Sequence, residues 1–300
     1  MHIFFTGGTG YVGSHIVRHS RAAGHDCTVV TRGRDAPWDD AAVRLLEADP
    51  KRPGDWQRDA GHADVIVNLA GASLIDPPHR WTRETKRMIR ASRIETTERL
   101  AEAIAAADPP PAHFISMSAV GYYGDRGEEA LTESTAPGDD FVARICHDWE
   151  AAATEVTDRC RVTLLRTAPV VGRGAPLLRP MLTPFRLGLG GPWGSGKQWW
   201  PWIHVEDVVG LVQLIIDRRL TGPVNLTAPE PVRVSTFAKT LGEVLNRPAV
   251  ARVPAFALRL ALGEAAEAIL VSQRVVPARA REERYMYRYP VLRDALAASV

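Results

Sequence analysis

The chain lacks the cysteine pattern that marks several classes of protein. It has only three cysteines among 300 residues, Cys27, Cys146 and Cys160, and no two of them have the C-x-x-C spacing. An odd number without that spacing argues against a disulfide framework and against a tetrahedral zinc site. We therefore expect no bound metal, and we expect a reducing cytoplasm as the compartment.

Neither sign of charge dominates, and long apolar runs are missing. The 37 basic and 35 acidic residues nearly cancel, and no basic run alternates with aromatics, so an electrostatic footprint for nucleic acid is not expected. No stretch has the eighteen or so apolar residues that span a bilayer, and MHIFFTGG lacks the charged start of a secretory signal. We expect a small-molecule partner, with no nucleic-acid and no membrane partner.

Two common catalytic motifs are also missing. The glycine-rich segment FRLGLGGPWGSGKQWWPW resembles a phosphate-binding loop, but Gln198 follows Lys197 where that loop needs Ser or Thr. The chain has no G-x-S-x-G sequence, which positions the nucleophile of many serine hydrolases. Neither phosphate hydrolysis nor that type of ester hydrolysis is therefore expected.

Short apolar runs alternate with helical patterns through the first half of the chain, beginning with HIFFTG, VGSHIVRHSRAAGH and CTVVTR. Strands interleaved with helices form βαβ units, which build a parallel sheet covered by helices on both faces. The sequence therefore predicts an α/β fold with a doubly wound parallel sheet and a small, mostly helical C-terminal lobe.

Changes of composition give the predicted domain boundaries. Residues 172–202 are rich in Gly, Pro and Trp, so we predict a lid or substrate loop there rather than sheet. A helical pattern and a strand follow. We therefore predict a first domain over residues 1–171, to which residues 203–228 return, and a small lobe over residues 229–300.

Glycines cluster between the first predicted strand and the first predicted helix, in FFTGGTGYVGSH. Gly7, Gly10 and Gly13 permit a tight turn and let the backbone approach a pyrophosphate, while free amides at the start of the helix can donate hydrogen bonds to it. The alternative is a plain strand-to-helix turn. The position within a βαβ pattern favours a dinucleotide cofactor.

The end of the second strand indicates which dinucleotide. Arg32 lies 19 residues after Gly13, and a guanidinium can bind a 2′-phosphate that a carboxylate would repel. Asp35 leaves NAD open as the alternative, so NADP (NADPH) is favoured over NAD. Asp49, after the third strand, is a candidate acceptor for the adenine amino group.

Two further features point to the same cleft. The sequence NLAG, residues 68–71, ends the fourth strand at the carboxyl edge, where open α/β sheets bind ligands. Counting back from Leu100 by three and four places Arg93 on the apolar stripe of a long helix. A buried guanidinium needs a partner, and we favour a ligand over a structural salt bridge.

Together these motifs resemble a known family. TGGTGYVG, NLAG, SMSAVGYYGD, LLRTAPVVG, WIHVEDV and GPVNLTAPEPV are similar to extended short-chain dehydrogenases/reductases. More narrowly, RWTRETKRMIRASR, SAVGYYGD and PFRLGLGGPWGSGKQWWPWIHVED resemble the atypical epimerase family proteins, NAD-dependent epimerase/dehydratase-like and once described as nucleoside-diphosphate-sugar epimerases, with a small C-terminal domain of unknown function. The resemblance implies a Rossmann domain that binds NADP(H). The candidate cofactor-binding residues are Gly7, Gly10, Tyr11, Val12, Gly13, Thr31, Arg32, Asp49, Asn68, Leu69, Ala70, Gly71 and Arg93.

The Tyr and Lys pair of the superfamily is missing. The resemblance places its two slots, four residues apart, at Val142 and Cys146, neither of which exchanges a proton with a carbonyl as that pair does. Ser118 matches the family's Ser. Tyr122 and Tyr123 are candidate hydrogen-bond donors, with packing under the loop as their alternative. The candidate catalytic residues are therefore Ser118, Tyr122 and Tyr123.

Candidate substrate-pocket residues come from the Gly/Pro/Trp-rich segment and from WIHVEDV. Arg186 and Trp193 lie in the first and His204 in the second. For His204 with Glu206 and Asp207 we favour helix capping over an acid–base or metal cluster, with His204 bordering the cleft.

Two functions are consistent with these features. The first is an NADP-dependent oxidoreductase or epimerase that acts on a small polar or nucleotide-linked substrate. The second is an NADP(H)-binding sensor or scaffold without redox turnover, which the missing Tyr and Lys favour. In the resembled family the helix that carries Arg93 and the helix DFVARICHDWE often pair between subunits, so a homodimer is a further expectation.

Overall fold

Thirteen strands and eleven helices are assigned in the computed structural model, which describes residues 1–33, 37–38, 42–74 and 80–300. The strands are β1 (His2–Thr6), β2 (Asp26–Thr31), β3 (Val43–Glu47), β4 (Val65–Asn68), β5 (His113–Ala119), β6 (Ala130–Leu131), β7 (Arg161–Thr167), β8 (Val170–Val171), β9 (Trp199–Trp200), β10 (Ile203–His204), β11 (Gly222–Leu226), β12 (Val232–Arg233) and β13 (Arg274–Val275). The helices are α1 (Tyr11–Ala22), α2 (Trp56–Gly61), α3 (Arg83–Ala106), α4 (Phe141–Thr154), α5 (Arg179–Arg186), α6 (Val205–Arg218), α7 (Val234–Val244), α8 (Ala255–Leu262), α9 (Glu267–Leu270), α10 (Ala278–Glu282) and α11 (Leu292–Ser299).

Seven parallel strands form the central sheet, in the order β11-β7-β5-β4-β1-β2-β3. The chain runs outward from β1 to β3, then crosses back and continues from β4 to the other edge. The strand order therefore reverses between β1 and β4. In open parallel sheets this reversal leaves a crevice at the carboxyl ends of the two strands, which is where ligands bind.

Alternate residues of the strands pack into two separate cores. On β1, Ile3 and Phe5 contact the core that includes α1 and α6, whereas Phe4 faces the core that includes α2 and α3. All three are fully buried. A strand that is apolar on both faces is typical of a sheet covered by helices on both sides. The predicted doubly wound α/β fold is confirmed, as is the helical C-terminal region.

The Gly/Pro/Trp-rich segment contributes to a third core instead of forming only an exposed loop. Trp193, Trp200 and Trp202 are buried in it, and the Trp200 ring lies 4.4 Å from the Phe237 ring of α7. The prediction of a loop without sheet is wrong in two places, because the segment contains helix α5 and strand β9, which pairs with β12. Pro180 is tolerated near the start of that helix because the first-turn amides have no helical acceptor. The domain boundaries themselves stay a prediction.

A buried ion pair joins α4 to β7. Arg166 donates from Nε to Glu150 Oε1 at 2.9 Å and from Nη2 to Glu150 Oε2 at 2.8 Å, and both side chains are almost fully buried. Burial opposes the charge of Arg166, but the hydrogen bonds with Glu150 outweigh that effect and raise the pKa of Arg166. The third nitrogen, Nη1, donates to Glu133 O and to the Tyr123 hydroxyl, so the guanidinium is bound to four acceptor atoms on three residues.

The end of the chain is anchored to α6 by one carboxylate. Asp207 accepts hydrogen bonds from the amides of Arg288 and Tyr289 and from the Tyr285 hydroxyl. His204 caps the same helix, because its Nδ1 accepts from the Glu206 amide at 3.3 Å. These contacts support the capping interpretation of WIHVEDV. Within the described residues, no helix is long and apolar enough to cross a membrane.

Removing one partner of the buried pair should be costly. We expect Arg166→Met to lower the free energy of unfolding by about 3–5 kcal/mol, because Glu150 is then a buried charge without its counter-ion. The double variant Arg166→Met/Glu150→Met should lose clearly less. Arg90→Met, which breaks an exposed pair with Asp148, is the matched control and should lose less than about 1 kcal/mol in urea unfolding. If Arg166→Met lost no more stability than Arg90→Met, the buried ion pair between Arg166 and Glu150 would not stabilise the fold as assigned.

Two buried histidines should make the fold sensitive to mild acid. Burial lowers the pKa of His113 and of His204 to about 4 in each case. In the unfolded chain a histidine binds a proton below about pH 6.5, so between pH 6.5 and pH 4 the unfolded state holds more protons than the folded state. The free energy of unfolding therefore decreases as the pH is lowered through this range. Each should cost about 2 kcal/mol at pH 5 relative to pH 7.5.

Urea unfolding at these two pH values, with His113→Gln as the variant, checks this expectation. The two histidines together lower the free energy of unfolding at pH 5 relative to pH 7.5, and His113→Gln should remove about half of that decrease. If the difference is as large in the variant as in the unaltered chain, His113 is not the origin of the effect.

Candidate cofactor and substrate site

The glycine turn after β1 presses directly on the end of β4. Gly7 has a φ of +67°, and a Cβ there would lie 2.6 Å from the Leu69 carbonyl carbon. A Cβ at Gly13 would lie 2.3 Å from Gly7 O. Both distances are far below van der Waals contact, so no side chain fits at either position. The turn therefore presents bare backbone at the crevice between β1 and β4.

Helix α1 begins in this turn with its amides open. Gly10 is the N-cap and has no side chain to accept from them, and the first turn contains no acidic residue. Such a terminus is suited to binding an anion, since its amides and its helix dipole both favour negative charge. Val12 packs in the core beneath the turn. Tyr11 reaches the other way, and a Cβ at Gly172 would lie 2.4 Å from its hydroxyl.

The predicted adenosine-binding residues lie at the carboxyl ends of β2 and β3. Thr31 is the last residue of β2, and Arg32 follows it with an exposed side chain. Asp49 follows β3 and accepts from the Lys51 amide at 3.2 Å. Asp35, the alternative determinant for NAD, lies outside the described residues. Arg32 and Asp49 are therefore on the same sheet edge as the glycine turn.

The NLAG segment divides into a structural part and a part at the crevice. Asn68 is fully buried; it accepts from Thr6 Oγ1 at 2.6 Å and donates to Thr97 Oγ1 at 2.8 Å and to Ser116 Oγ at 3.2 Å. Its amide is thus engaged by protein groups and fixes β4 against its neighbours. Leu69, Ala70 and Gly71 follow, with Leu69 and Ala70 against the glycine turn.

Arg93 lies at the other side of the same segment. Its guanidinium donates to Ile89 O at 3.0 Å and to Ala72 O at 2.9 Å, lies 5.3 Å from the centre of the Trp149 ring, and is almost fully buried. Within the described residues no carboxylate pairs with it, so the alternative of a structural salt bridge receives no support there. Burial lowers the pKa of Arg93. A Cβ at Gly71 would lie 3.2 Å from its Cζ, so Arg93 borders the crevice.

Val142 and Cys146, the two positions where the resemblance places the missing Tyr and Lys, are apolar or buried. Val142 lines a large cavity, and the Cys146 thiol is buried behind it, where burial raises its pKa to about 12. A Cβ at Gly121 would meet Val142 Cγ1 at 2.5 Å, so this valine closes on the loop after β5. At neutral pH neither side chain is a proton donor or acceptor of useful strength.

The three candidate catalytic residues surround the buried ion pair. Ser118 Oγ donates to Glu150 Oε1 at 2.7 Å and is fully buried. Tyr123 donates to Asn225 Oδ1 at 2.6 Å, and burial raises the pKa of its hydroxyl to about 12 against the opposing effect of Arg166. The Tyr122 ring stacks on the Arg166 guanidinium at 3.5 Å. The structure thus brings the three together, but on this network and not on the cavity wall.

Sequence reasoning missed the centre of that network. Arg166 stands in the middle of the apolar strand sequence VTLLRTA, and a charge at such a position signals a buried partner. The signal was present in the sequence, but its partners Glu150, Tyr123 and Glu133 are distant along the chain, so their identity required the fold.

One large cavity of about 790 Å³ opens beside the carboxyl ends of β5 and β7. Its wall is shared by the sheet edge, the start of α4, the Trp-rich segment and the C-terminal lobe. The lining residues are Leu74, Trp81, Ala119, Val120, Gly121, Asp125, Asp140, Phe141, Val142, Arg144, Thr167, Ala168, Pro169, Leu177, Trp199, Trp200, Pro201, Arg259, Glu264, Glu267, Ala268, Leu270, Val271 and Gln273.

The predicted pocket residues lie elsewhere. Arg186 is exposed at the end of α5, Trp193 is packed in the third core, and His204 is buried at the start of α6; none of them lines this cavity. Trp199, Trp200 and Pro201 from the same region do line it. As for metals, no group of three or more His, Cys, Asp or Glu side chains in the described ranges is arranged to hold an ion.

Comparison with known proteins gives a consistent picture. A family model described as the NAD dependent epimerase/dehydratase family matches residues 3–226, and one for a domain of unknown function, DUF1731, matches residues 253–299. Human epimerase family protein SDR39U1 is 35% identical over 303 residues, covering 99% of this chain and 98% of its own length. A homolog from Arabidopsis thaliana, described as chloroplastic, is also 35% identical, over 99% of this chain and 86% of its own.

The crystal structure of human SDR39U1 with NADPH has a TM-score of 0.89 and 33% identity to this chain, covering 99% of this chain and 98% of that one. The preference for NADP over NAD drawn from Arg32 agrees with the nucleotide in that structure. The predicted resemblance is confirmed by these matches. By sequence along almost its whole length and by structure, the chain belongs to the NAD dependent epimerase/dehydratase family, among the epimerase family proteins that resemble SDR39U1.

Proposed function

We propose that this protein is an NADP(H)-dependent oxidoreductase that binds its nucleotide in the crevice between β1 and β4. The observation that carries the proposal is the backbone-only cradle at Gly7 and Gly13, which any Cβ would fill, next to the open amides of α1. A pyrophosphate fits such a cradle because it needs close backbone approach and amide donors. The human relative crystallised with NADPH supports the same assignment.

The remaining contacts follow from the positions along the sheet edge. Arg32 would hold the 2′-phosphate, Asp49 the adenine amino group, and Arg93 the part of the nucleotide that passes Gly71. Thr31 and residues 69–71 would border it through their backbone. Asn68 would act indirectly, because its side chain is already engaged with Thr6, Thr97 and Ser116.

The chemistry of the site favours reduction or oxidation over epimerisation. When bound, the nicotinamide would exchange a hydride with a substrate carbonyl or alcohol. Epimerisation removes a proton from a substrate hydroxyl and later returns it, which needs a side chain that does both, and the resemblance places Val142 where that side chain would stand. Reduction of a carbonyl needs one proton delivered once, and in this proposal water in the cavity would supply it while the walls around Val142 orient the substrate.

The alternative function is an NADP(H)-binding sensor or scaffold without redox turnover. The specific observation that favours it is the pair Val142 and Cys146, because neither group supplies an acid at neutral pH. The large cavity next to the nucleotide crevice favours the oxidoreductase. NADPH binding with no oxidation across a broad panel of carbonyl compounds would select the alternative.

Two further expectations remain proposals. A reducing compartment such as the cytoplasm is supported by three cysteines that form no disulfide, all of which lie in the described ranges. Helices α3 and α4 lie side by side on one face of the sheet, and a homodimer would form through their outer surfaces, as the resemblance implies. Light scattering of the purified chain tests the second.

Gly13→Ala should weaken NADPH binding by more than tenfold, because its Cβ would displace the Gly7 carbonyl and deform the cradle. Fluorescence titration of the nicotinamide measures this affinity. Gly24→Ala is the matched control, since Gly24 follows the far end of α1 and a Cβ there meets no atom of the described residues within 4 Å. Its left-handed backbone makes the substitution a test of strain that should leave NADPH binding unchanged. Full affinity in the folded Gly13 variant would remove the cradle from the nucleotide site.

Arg32→Asp should weaken NADPH binding by about 10- to 100-fold and leave NADH binding unchanged or tighter, because a charged hydrogen bond to the 2′-phosphate is worth about 1.5–3 kcal/mol. Arg219→Asp is the control. Arg219 is exposed and precedes β11, at the opposite edge of the sheet, and Asp tolerates its left-handed backbone. Equal effects of the two variants would contradict the role of Arg32.

A further inference from the structure

We propose that the 790 Å³ cavity binds a neutral, mostly apolar carbonyl compound with a conjugated ring, and not a sugar linked to a nucleoside diphosphate. This inference rests on the proposed oxidoreductase function and adds the substrate class to it. It also replaces our expectation of a small polar or nucleotide-linked substrate. Four features of the wall carry it, namely the aromatic surface, the excess of carboxylates, the engagement of both arginines and the absence of a proton donor at Val142.

Apolar side chains, four of them aromatic, make up most of the described part of the wall. Trp81 and Phe141 meet edge to face with ring centres 4.9 Å apart, and Trp199 and Trp200 stand on the segment opposite. Leu177, Leu270 and Val271 fill the spaces between them. Flat aromatic and branched apolar surfaces bind an apolar ring by excluding water and by stacking. The hydroxyl groups of a sugar would find few partners on them.

The charged residues of the wall have the wrong sign for a diphosphate. Among the described residues, four carboxylates line the cavity, from Asp125, Asp140, Glu264 and Glu267, and two guanidinium groups, while the Lys86 ammonium pairs with Glu264 at the same wall. The formal balance of 3 − 4 for these described groups gives a net charge of −1. A nucleoside diphosphate linked to a sugar carries two negative charges on its phosphates, so this wall disfavours it.

Both arginines of the wall are already engaged. Arg259 donates from Nε to Glu267 Oε1 at 2.7 Å, and Arg144 donates to the carbonyl oxygen of Asp139. Recognition of a diphosphate usually requires a free guanidinium fork or a row of backbone amides. Two carboxylates of the wall already use the nearby backbone amides. Asp140 accepts from the amides of Val142 and Ala143, and Asp125 accepts from those of Gly127 and Ser272. These last contacts are between 2.8 and 3.2 Å long.

The apolar residue at Val142 also selects a type of carbonyl. A simple ketone that accepts a hydride places the electron pair on a single oxygen, and this step needs an adjacent acid. A quinone spreads the pair over its ring and oxygens, and water then supplies the proton. In the balanced reaction the quinone gains a hydride and one proton to become a hydroquinone, while NADPH becomes NADP⁺. No side-chain acid is required.

Calorimetric titration of the chain loaded with NADP⁺ tests the inference by binding alone, because the oxidised nucleotide cannot reduce the probe. Menadione should bind saturably, and UDP-glucose should bind at least tenfold more weakly. Tighter binding of UDP-glucose, or no binding of menadione, would overturn the inference. Failure of NADP⁺ itself to bind in the first titration would instead overturn the proposed function, so the two failures are distinct.

Two variants locate the binding. Ala268→Trp, from the lobe side of the cavity, and Val142→Trp, from the α4 side, should each weaken menadione binding at least tenfold by filling the cavity. Val250→Trp is the matched control, because this valine is 81% exposed and lies outside the wall. Ala268→Trp should also retain NADP⁺ affinity. Unchanged menadione affinity in a folded Ala268 variant would show that the probe binds elsewhere.

Discussion

The close approach of the glycine turn to the end of β4 is the constraint on which the rest of the site depends. Gly7 lies so near Leu69 and Ala70 that neither strand end can move without the other. Just below, Asn68 ties β4 to β1, β5 and α3 through three hydrogen bonds. Contacts within the protein therefore position the crevice, and its donors are backbone amides whose positions the sheet sets. A site for a pyrophosphate requires donors placed in this way.

Beside the cavity, the polar side chains of Ser118 and Tyr123 point into the protein and not into the site. Where relatives in the wider superfamily have a Tyr and a Lys, this chain has Val142 facing the cavity and Cys146 buried behind it. The remaining polar residues nearby, Ser118 and Tyr123, are drawn into the network around Arg166. Because these groups satisfy one another inside the protein, they stabilise the fold, and the part of the cavity wall around Val142 stays apolar. The wall thus supplies shape and apolar surface rather than a side chain for proton transfer.

Local patterns predicted much of this structure, and contacts between distant segments account for what they missed. Alternation of strands and helices indicated the doubly wound sheet, and glycine spacing indicated the turn after β1, because both depend on neighbours in sequence. The helical stripe correctly predicted that Arg93 is buried. The roles of Ser118 and Trp193 were harder to infer, since each depends on a partner far along the chain, Glu150 for the serine and the third core for the tryptophan. The capping role of His204, whose partner Glu206 is two residues away, was predicted from the sequence. The cavity unites segments from residue 74 to residue 273, so no single motif could reveal it.

A crystal structure of the chain with NADP⁺ would show directly whether nucleotide and substrate meet where the glycine cradle adjoins the cavity. We expect pyrophosphate density within hydrogen-bonding distance of the first amides of α1, the 2′-phosphate at Arg32, and the nicotinamide facing the cavity beside Val142. Density for the nucleotide outside this crevice, or a nicotinamide directed away from the cavity, would contradict this expectation.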